Sequence, residues 1–413
     1  MAGTSSSNGH LECEDEEMSV YRKDSNAVVT FNIVFNERHL TEPCLTFKPI
    51  MSHQVFENEC IFGYKSLAIK LTYLHNSAKC YVDVVSSGII ERDGHKPDDV
   101  MECLNPWLPE NYTTDRDEFT QWISKEQHDV IFGHIIHEHV FKGEFFEDPS
   151  VEVQYTYKIT QCDIADEDFK KFHQAFETYV IWFIDGATFI DLDDEKWEIF
   201  YVYEEVKHPK TGEMCITPVG FCTVYKFYSY PANIRSRISQ FFILPTHQKR
   251  GLGTALYQAV FKTLQSLSSV TDITVEEPTP IFQKIRDRSD CRLVKESLEK
   301  NKLDISSTHI KKIFAHLKDL KFGKKQIQRI YDILCGCEAS LDKFTYNQFF
   351  KNINKRIESE VNNRMKVGMK KMRLVTEGNA THALVDEEAV AKAEFQKYKE
   401  DLESAVNYVK NKL

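Results

Sequence analysis

Between residues 27 and 90, apolar side chains alternate with polar ones or run together for a few positions, and turn residues separate the runs. "AVVTFNIVF", "LAIKLTYL" and "AKCYVDVV" therefore predict strands. A loop rich in turn residues, "DGHKPDD" through "NPWLPENYTTD", follows. "DEFTQWISKEQ" has helical spacing and leads into a further strand. From residue 166 the period becomes that of a helix, with Phe169, Phe172, Phe176, Val180 and Phe183 on one face. Three more strands come next, "WEIFYVYEEV", "PVGFCTVYKFYSYP" and "RISQFFIL", the first two joined by a turn at Pro209, Lys210, Thr211 and Gly212. A helix then presents Leu252, Ala255, Leu256, Ala259, Val260, Leu264 and Leu267 on one side, and a last short strand, "VTDITVEEP", stops at Pro278.

Past residue 290 the pattern is helical and charge-rich. The predicted organisation is a disordered acidic segment at 1–24 and a mixed α/β domain at 25–150. A second α/β domain at 151–288 and a helical domain at 289–374 follow. A linker and one amphipathic terminal helix occupy 375–413. The fold class is α/β (α+β).

Composition narrows the function. A chain of 413 residues with 42% hydrophobic and 28% charged residues reads as an ordinary globular protein of several domains. A net charge of −11 argues against a general nucleic-acid binder and fits a basic partner. The first 18 residues lack the apolar stretch of a secretory signal, and eleven scattered cysteines fit a reducing compartment. The sequons at Asn111 and Asn379 are then idle, and no apolar run is long enough to span a bilayer.

The chemistry concentrates at "HQKRGLGTALYQAV", residues 247–260, where two glycines open a helix directly after a strand. Such a turn offers unpaired N–H groups and the positive end of the helix dipole to an anion. A dinucleotide fingerprint would need a third glycine where Leu256 stands, and a Walker loop would need a closing Gly-Lys-Ser/Thr that is absent. What remains is Q-x-x-G-x-G, on Gln248, Gly251 and Gly253. It resembles the acetyl-CoA loop of the GCN5-related N-acetyltransferase superfamily. "WFIDGATFIDLDDEKW", "GFCTVYKFYSYP", "RISQFFILPTHQKRGLG" and "DITVEEP", in that order, resemble the superfamily's type B histone acetyltransferase branch.

The resemblance implies a twisted mixed sheet that binds acetyl-CoA as cosubstrate. The backbones of Phe241, Phe242 and Ile243 would pair with the pantetheine arm and supply an oxyanion donor. Residues Gln248, Lys249, Arg250, Gly251, Leu252, Gly253 and Thr254 would surround the pyrophosphate, with Arg250 adding charge. It implies a basic histone tail bound by Glu57, Asn58, Glu59, Trp197, Tyr225, Lys226 and Phe227. The expected partners are newly made histone H-four with its histone partner and a WD-repeat histone-binding chaperone, with residence in nucleus and cytoplasm. No metal, membrane or direct nucleic-acid contact is expected.

A lysine amine has a pKa of about 10.4, so its proton must be removed near the thioester, and a carboxylate in a partly dehydrated cleft can do this. Glu276 and Glu277 stand at the end of the last strand. The family's favoured base maps to Glu276. Glu277 is one methylene longer than the usual aspartate, and Asp185 is one methylene shorter than the usual glutamate. Cys222 reads as a small buried hydrophobe, and Phe282 has no hydroxyl to protonate the leaving thiolate. In "HIIHEHV", a strand would put His137 and His139 on one face with His134 opposite, too few ligands for zinc. Two other readings stay open: acetylation of a protein N-terminus or small amine, and a histone-binding module that has lost catalysis.

Overall fold

The computed structural model describes residues 18–90, 94–375 and 387–411. Its described residues form two compact units: those of 1–230 with 236–263, and those of 231–235 with 264–413. Residues 1–17 of the expected disordered segment and 376–386 of the expected linker lie outside the described residues.

The first unit carries two main sheets. β1 (Arg22–Asp24), inside the segment expected to be disordered, pairs with β4 (Cys60–Phe62), and Asp24 caps a helical turn by accepting from Asn26 N at 2.8 Å. That capped turn and its pairing give residues 22–24 the hydrogen bonds that composition alone did not promise. β2 (Val29–Val34), β3 (Leu45–Phe47), β5 (Tyr64–Leu74), β6 (Cys80–Ile89) and β7 (Tyr112–Thr113) form a sheet in the order β3-β2-β5-β6-β7. α1 (Arg116–Lys125), capped by Asp115, buries Phe119 and Ile123 against Val34 and Leu74.

β8 (His134–Phe145), β9 (Asp148–Cys162), β10 (Trp197–Lys207), β11 (Met214–Ser229) and β12 (Asn233–Ile243) form the second sheet, in the order β12-β11-β10-β9-β8. β8 and β9 are an antiparallel hairpin. The boundary expected at 150/151 therefore falls inside a strand, because hydrogen bonding carries the second sheet back to residue 134. A register shift between Ile135 and His137 pairs His134, His137 and His139 with Gln161, Ile159 and Tyr157. The inserted Ile136 turns His134 to the same face as the other two, against the strict alternation expected.

α2 (Glu167–Glu177), capped by Asp166, continues into a 3₁₀ turn, Thr178–Trp182, and buries Phe169, Phe172, Phe176, Tyr179 and Trp182. Phe31 from β2 and Phe242 from β12 pack on Tyr179, with ring centroids 5.7 and 6.0 Å away. α3 (Leu252–Ser266) buries Leu252, Ala255, Leu256, Ala259, Val260 and Leu264. It stops one residue short of Leu267, which is exposed rather than on the apolar face.

In the second unit, β13 (Val270–Val275) follows Ser269, whose carbonyl accepts from Ile234 N at 2.8 Å; Arg235 pairs with Asp272 at 2.6 Å. The remainder is helical: α4 (Pro280–Lys300), α5 (Ile310–Asp319), α6 (Lys324–Ala339), α7 (Lys343–Val375) and α8 (Glu387–Lys410). The expected start of the helical domain at 289 falls inside α4, which begins at Pro280 because Thr279 caps it. α8 packs on α4, α6 and α7 through Leu402, Ala405, Val406 and Val409. Gly336 permits this approach, since a Cβ there would meet Val406 Cγ2 at 2.7 Å. No helix among the described residues is long and apolar enough to cross a membrane.

Candidate active site

The glycine turn joins β12 to α3 within the first unit. Leu244 N donates to Val219 O at 2.8 Å, and a single 3₁₀ turn, Pro245–His247, reverses the chain. Gln248 Nε2 reaches back to Ile243 O at 3.0 Å. Lys249 (φ 64°) and Gly251 (φ 85°) are left-handed, and Gly251 O accepts from Thr254 and Ala255 N at 3.1 Å. The first turn of α3, Leu252, Gly253 and Thr254, thereby opens with the N–H groups of Leu252 and Gly253 lacking an acceptor inside the helix, while that of Thr254 is given to Gly251 O. A Cβ on Gly251 would lie 3.2 Å from His139 Nε2, which itself contacts Arg250 O at 3.0 Å. Backbone and glycine here form a shallow cradle that a side chain would fill, a good fit for a pyrophosphate.

Arg250 is arranged differently from the expectation. Its guanidinium turns inward, donating from Nη1 to Tyr157 Oη at 2.7 Å and to Glu204 Oε2 at 2.9 Å, and lies over the Tyr155 ring. Glu204 is buried and also accepts from Tyr157 Oη at 2.6 Å, with His247 Nε2 at 3.3 Å. Burial by itself would raise its pKa, but His247 and Arg250 and their hydrogen bonds, with that of Tyr157, hold it below the ordinary glutamate value. Arg250 therefore braces the turn from beneath, while the Lys249 side chain is exposed.

β12 leads directly into this turn. Phe242 and Ile243 are buried and Phe241 is half-buried. Gly220 on β11 lets the strand close in, because a Cβ there would meet Phe242 O at 2.4 Å. Val219 is the extra residue of a bulge, since Val202 pairs with Gly220 and Tyr203 with Pro218. Cys222 is fully buried with its thiol pKa pushed well up by burial, so it is a packing residue rather than a nucleophile.

The carboxylates fall into different places. Glu276 and Glu277 follow β13 in the second unit, both exposed, and Glu277 is left-handed at φ 31°. Asp185, in the first unit, is exposed and lies 3.1 Å from His53 Nε2, whose Nδ1 is 3.8 Å from Glu59. One expected catalytic carboxylate and one expected tail-binding carboxylate thus share His53, which no local sequence signal marks. Glu59 also accepts from Ser52 N at 2.8 Å, and Asn58 and Glu59 are both left-handed. Glu57 and Asn58 line a cleft of ≈ 440 Å³ with Asp98, Asp99 and Glu102.

Trp197 and Tyr225 are cross-strand partners with ring centroids 4.8 Å apart, and Phe227 follows Tyr225 at 4.7 Å. Tyr225 donates to Asp194 Oδ2 at 2.9 Å, and Arg237 lies over Phe227 at 4.6 Å. Lys226 is bound by its backbone to Lys196 O at 3.0 Å. These rings form an aromatic strip, half-buried at Trp197 and Tyr225 and exposed at Phe227.

A further carboxylate holds the Asp185 segment. Glu177 ends α2, 1% exposed, and its Oε1 accepts from Gln240 Nε2 at 2.8 Å and Ile190 N at 3.0 Å. Gln240 also donates to Thr188 O at 2.9 Å, so this pair ties β12 to residues 188–190. Burial pushes Glu177 up to about 7, the hydrogen bonds from Gln240 and Ile190 only partly opposing it. His173, 3.9 Å away, is driven down to about 3 by burial; in spite of the distance the two are not an ion pair, because the imidazole loses its charge before the carboxyl gains one. Glu177 occurs four residues after His173 on the face of Phe169 and Phe176, so a carboxylate on an apolar stripe was the available signal.

Residues 21–185 match the family described as "Histone acetyl transferase HAT1 N-terminus", and residues 159–279 match the acetyltransferase (GNAT) family. A histone acetyltransferase type B catalytic subunit of Rattus norvegicus is 30% identical over 325 residues, covering 78% of this chain and 76% of the relative. The Homo sapiens protein of the same description is 29% identical, covering 84% and 82%. One from Cryptococcus neoformans is 29% identical over 70% of this chain and 75% of its own length.

Proposed function

Because the chain belongs to the family of type B histone acetyltransferase catalytic subunits, an acetyltransferase of the GNAT fold, we propose that it acetylates lysine side chains in the N-terminal tail of newly synthesised histone H-four. The observation that carries this reading is the turn Gln248-x-x-Gly251-x-Gly253 between β12 and α3, a phosphate cradle on an acetyltransferase scaffold. Acetyl-CoA is the cosubstrate: its pyrophosphate meets the first-turn amides of α3 and Lys249, and its pantetheine arm runs along Phe241, Phe242 and Ile243.

Glu276 takes a proton from the substrate ammonium. The freed amine attacks the thioester carbon directly, a strand N–H steadies the developing oxyanion, and the C–S bond breaks to release CoA thiolate. Glu277 and Asp185 contribute negative charge that favours a lysine-rich substrate. The aromatic strip Trp197, Tyr225 and Phe227 and the acids at Glu57 and Glu59 fit a basic, extended peptide. Recruitment of histones through a WD-repeat chaperone, in nucleus and cytoplasm, belongs to the same reading.

The test is radiolabelled acetyl transfer to core histones. Glu276→Gln is expected to lower kcat by roughly 10²–10⁴-fold, with acetyl-CoA affinity nearly unchanged and the pH-dependent limb of the rate lost. If Asp185→Asn or Glu277→Gln removes that limb while Glu276→Gln keeps it, the base is reassigned. Transfer to N-terminal amines or small amines in preference to tail lysines would overturn the substrate, and histone binding without transfer would make the chain a binding module.

A further inference from the structure

Outside the acetyl-transfer site, among the described residues, one set of three His, Cys or carboxylate side chains brings its donor atoms together: His75, His128 and Cys215, with one atom of each within 4.8 Å of the others. They come from separate parts of the first unit. His75 follows β5, His128 stands in the connection before β8, and Cys215 is the second residue of β11. The His75 Nε2 to His128 Nδ1 distance is 3.1 Å, and the rings stack at 4.9 Å and 22°.

Hydrogen bonds of neighbouring residues tie the three segments together. Asn76, next to His75, donates from Nδ2 to Ile216 O at 2.9 Å, and Ile216, next to Cys215, donates its N–H to His128 O at 2.7 Å. Glu126, two residues before His128, accepts from Ser77 N at 2.6 Å and Asn76 N at 3.2 Å. His75 is buried, lies against the Phe35 ring at 4.8 Å, and has no hydrogen-bond partner at Nδ1. Its Nε2, 3.1 Å from His128 Nδ1, is able to present a lone pair.

We propose that His75, His128 and Cys215 bind a borderline divalent transition metal of the zinc class, clipping the two sheets of the first unit together. Zn–N bonds of about 2.0–2.1 Å at a tetrahedral angle need nitrogens about 3.3 Å apart, a small opening of the observed pair. Two imidazoles and one thiolate are the ligand types that zinc and cobalt favour over calcium or magnesium. Binding replaces the thiol proton of Cys215 by the metal and releases that proton to solvent. Three protein ligands leave one position for water, reached past the exposed His128 ring, which makes the site an exchangeable one rather than a closed structural centre.

Co²⁺, added to the full chain under reducing conditions, is the probe. One equivalent is expected to bind with a near-ultraviolet sulfur-to-cobalt band, and Zn²⁺ is expected to displace it and raise the Tm. Cys215→Ser is expected to abolish the band, and His128→Gln to weaken binding at least about tenfold. His128 is exposed, so that variant keeps the experiment decisive if Cys215→Ser does not fold. Saturation with no sulfur-to-cobalt band, a band unchanged in folded Cys215→Ser, a cobalt affinity unchanged in His128→Gln, or no Tm response to Zn²⁺ overturns the site and leaves an ordinary His–His hydrogen bond beside a thiol.

Discussion

The first unit fills the space between its sheets with aromatic rings, whereas the second crosses its helices with arginine–carboxylate pairs. Around Phe31 the rings of Phe47, Tyr73, Tyr179, Trp182 and Phe183 have centroids 5.2 to 6.3 Å away. In the second unit Arg329 donates to both oxygens of buried Asp287 at 2.7 Å, and Arg356 to both of buried Asp332 at 2.9 and 2.6 Å. Tyr398 on α8 adds a donor to Asp332 at 2.6 Å. Both units bury carboxylates, and within the first unit two of them keep different company. Glu177 meets only neutral donors and is pushed up to about 7 by burial; Glu204, with Arg250 and His247 beside it, is held down. Burial alone does not decide a carboxylate's charge; the presence of a cation within contact does.

The sharpest way to break the contrast is Arg356→Ala. It leaves the Asp332 carboxylate buried without its cation, and the expected cost is about 3–5 kcal/mol, read as a lower urea midpoint. A loss below about 1 kcal/mol would show that the pair behaves as a surface ion pair does.

Glu177→Gln tests the opposite case. The pKa of this group is raised on folding, so its contribution is fully present below the unfolded value of 4.5 and is lost as pH rises through about 7. The amide keeps an acceptor for Gln240 and Ile190 but cannot ionise. The variant is therefore expected to gain on the order of 2–3 kcal/mol over the parent at pH 8, and little at pH 4. Parallel stability–pH curves for the two proteins would refute the neutral-company account.

Gly251→Ala carries the smallest expected effect. A left-handed φ of 85° and a Cβ 3.2 Å from His139 Nε2 together cost about 1–2 kcal/mol. Acetyl-CoA affinity, measured by calorimetric titration, is expected to fall about tenfold. An unchanged affinity in a folded variant would make the turn a packing device.

Much of the fold was legible because it is written in local periods. The strands from residue 29 onward, the capped helices after Asp115 and Asp166 and the Gly251–Gly253 helix start all follow from short-range pattern and turn chemistry. The glycine turn was legible for the same reason: strand, glycines and helix are consecutive. The bulge at Ile136 was not, because an extra residue in a ladder is visible only from its partner strand. Nor were residues 22–24, whose ordering depends on β4, well downstream.

By itself the sequence determined the elements, the family and the glycine turn between β12 and α3. Tertiary structure alone decided which side chains meet: Arg250 facing Glu204, His53 between Asp185 and Glu59, and His75 and His128 beside Cys215. The physical reason is that periodicity acts over a few residues and sets the face a side chain occupies. Charge state and coordination depend on donors and dielectric at a few ångströms, whatever the distance along the chain.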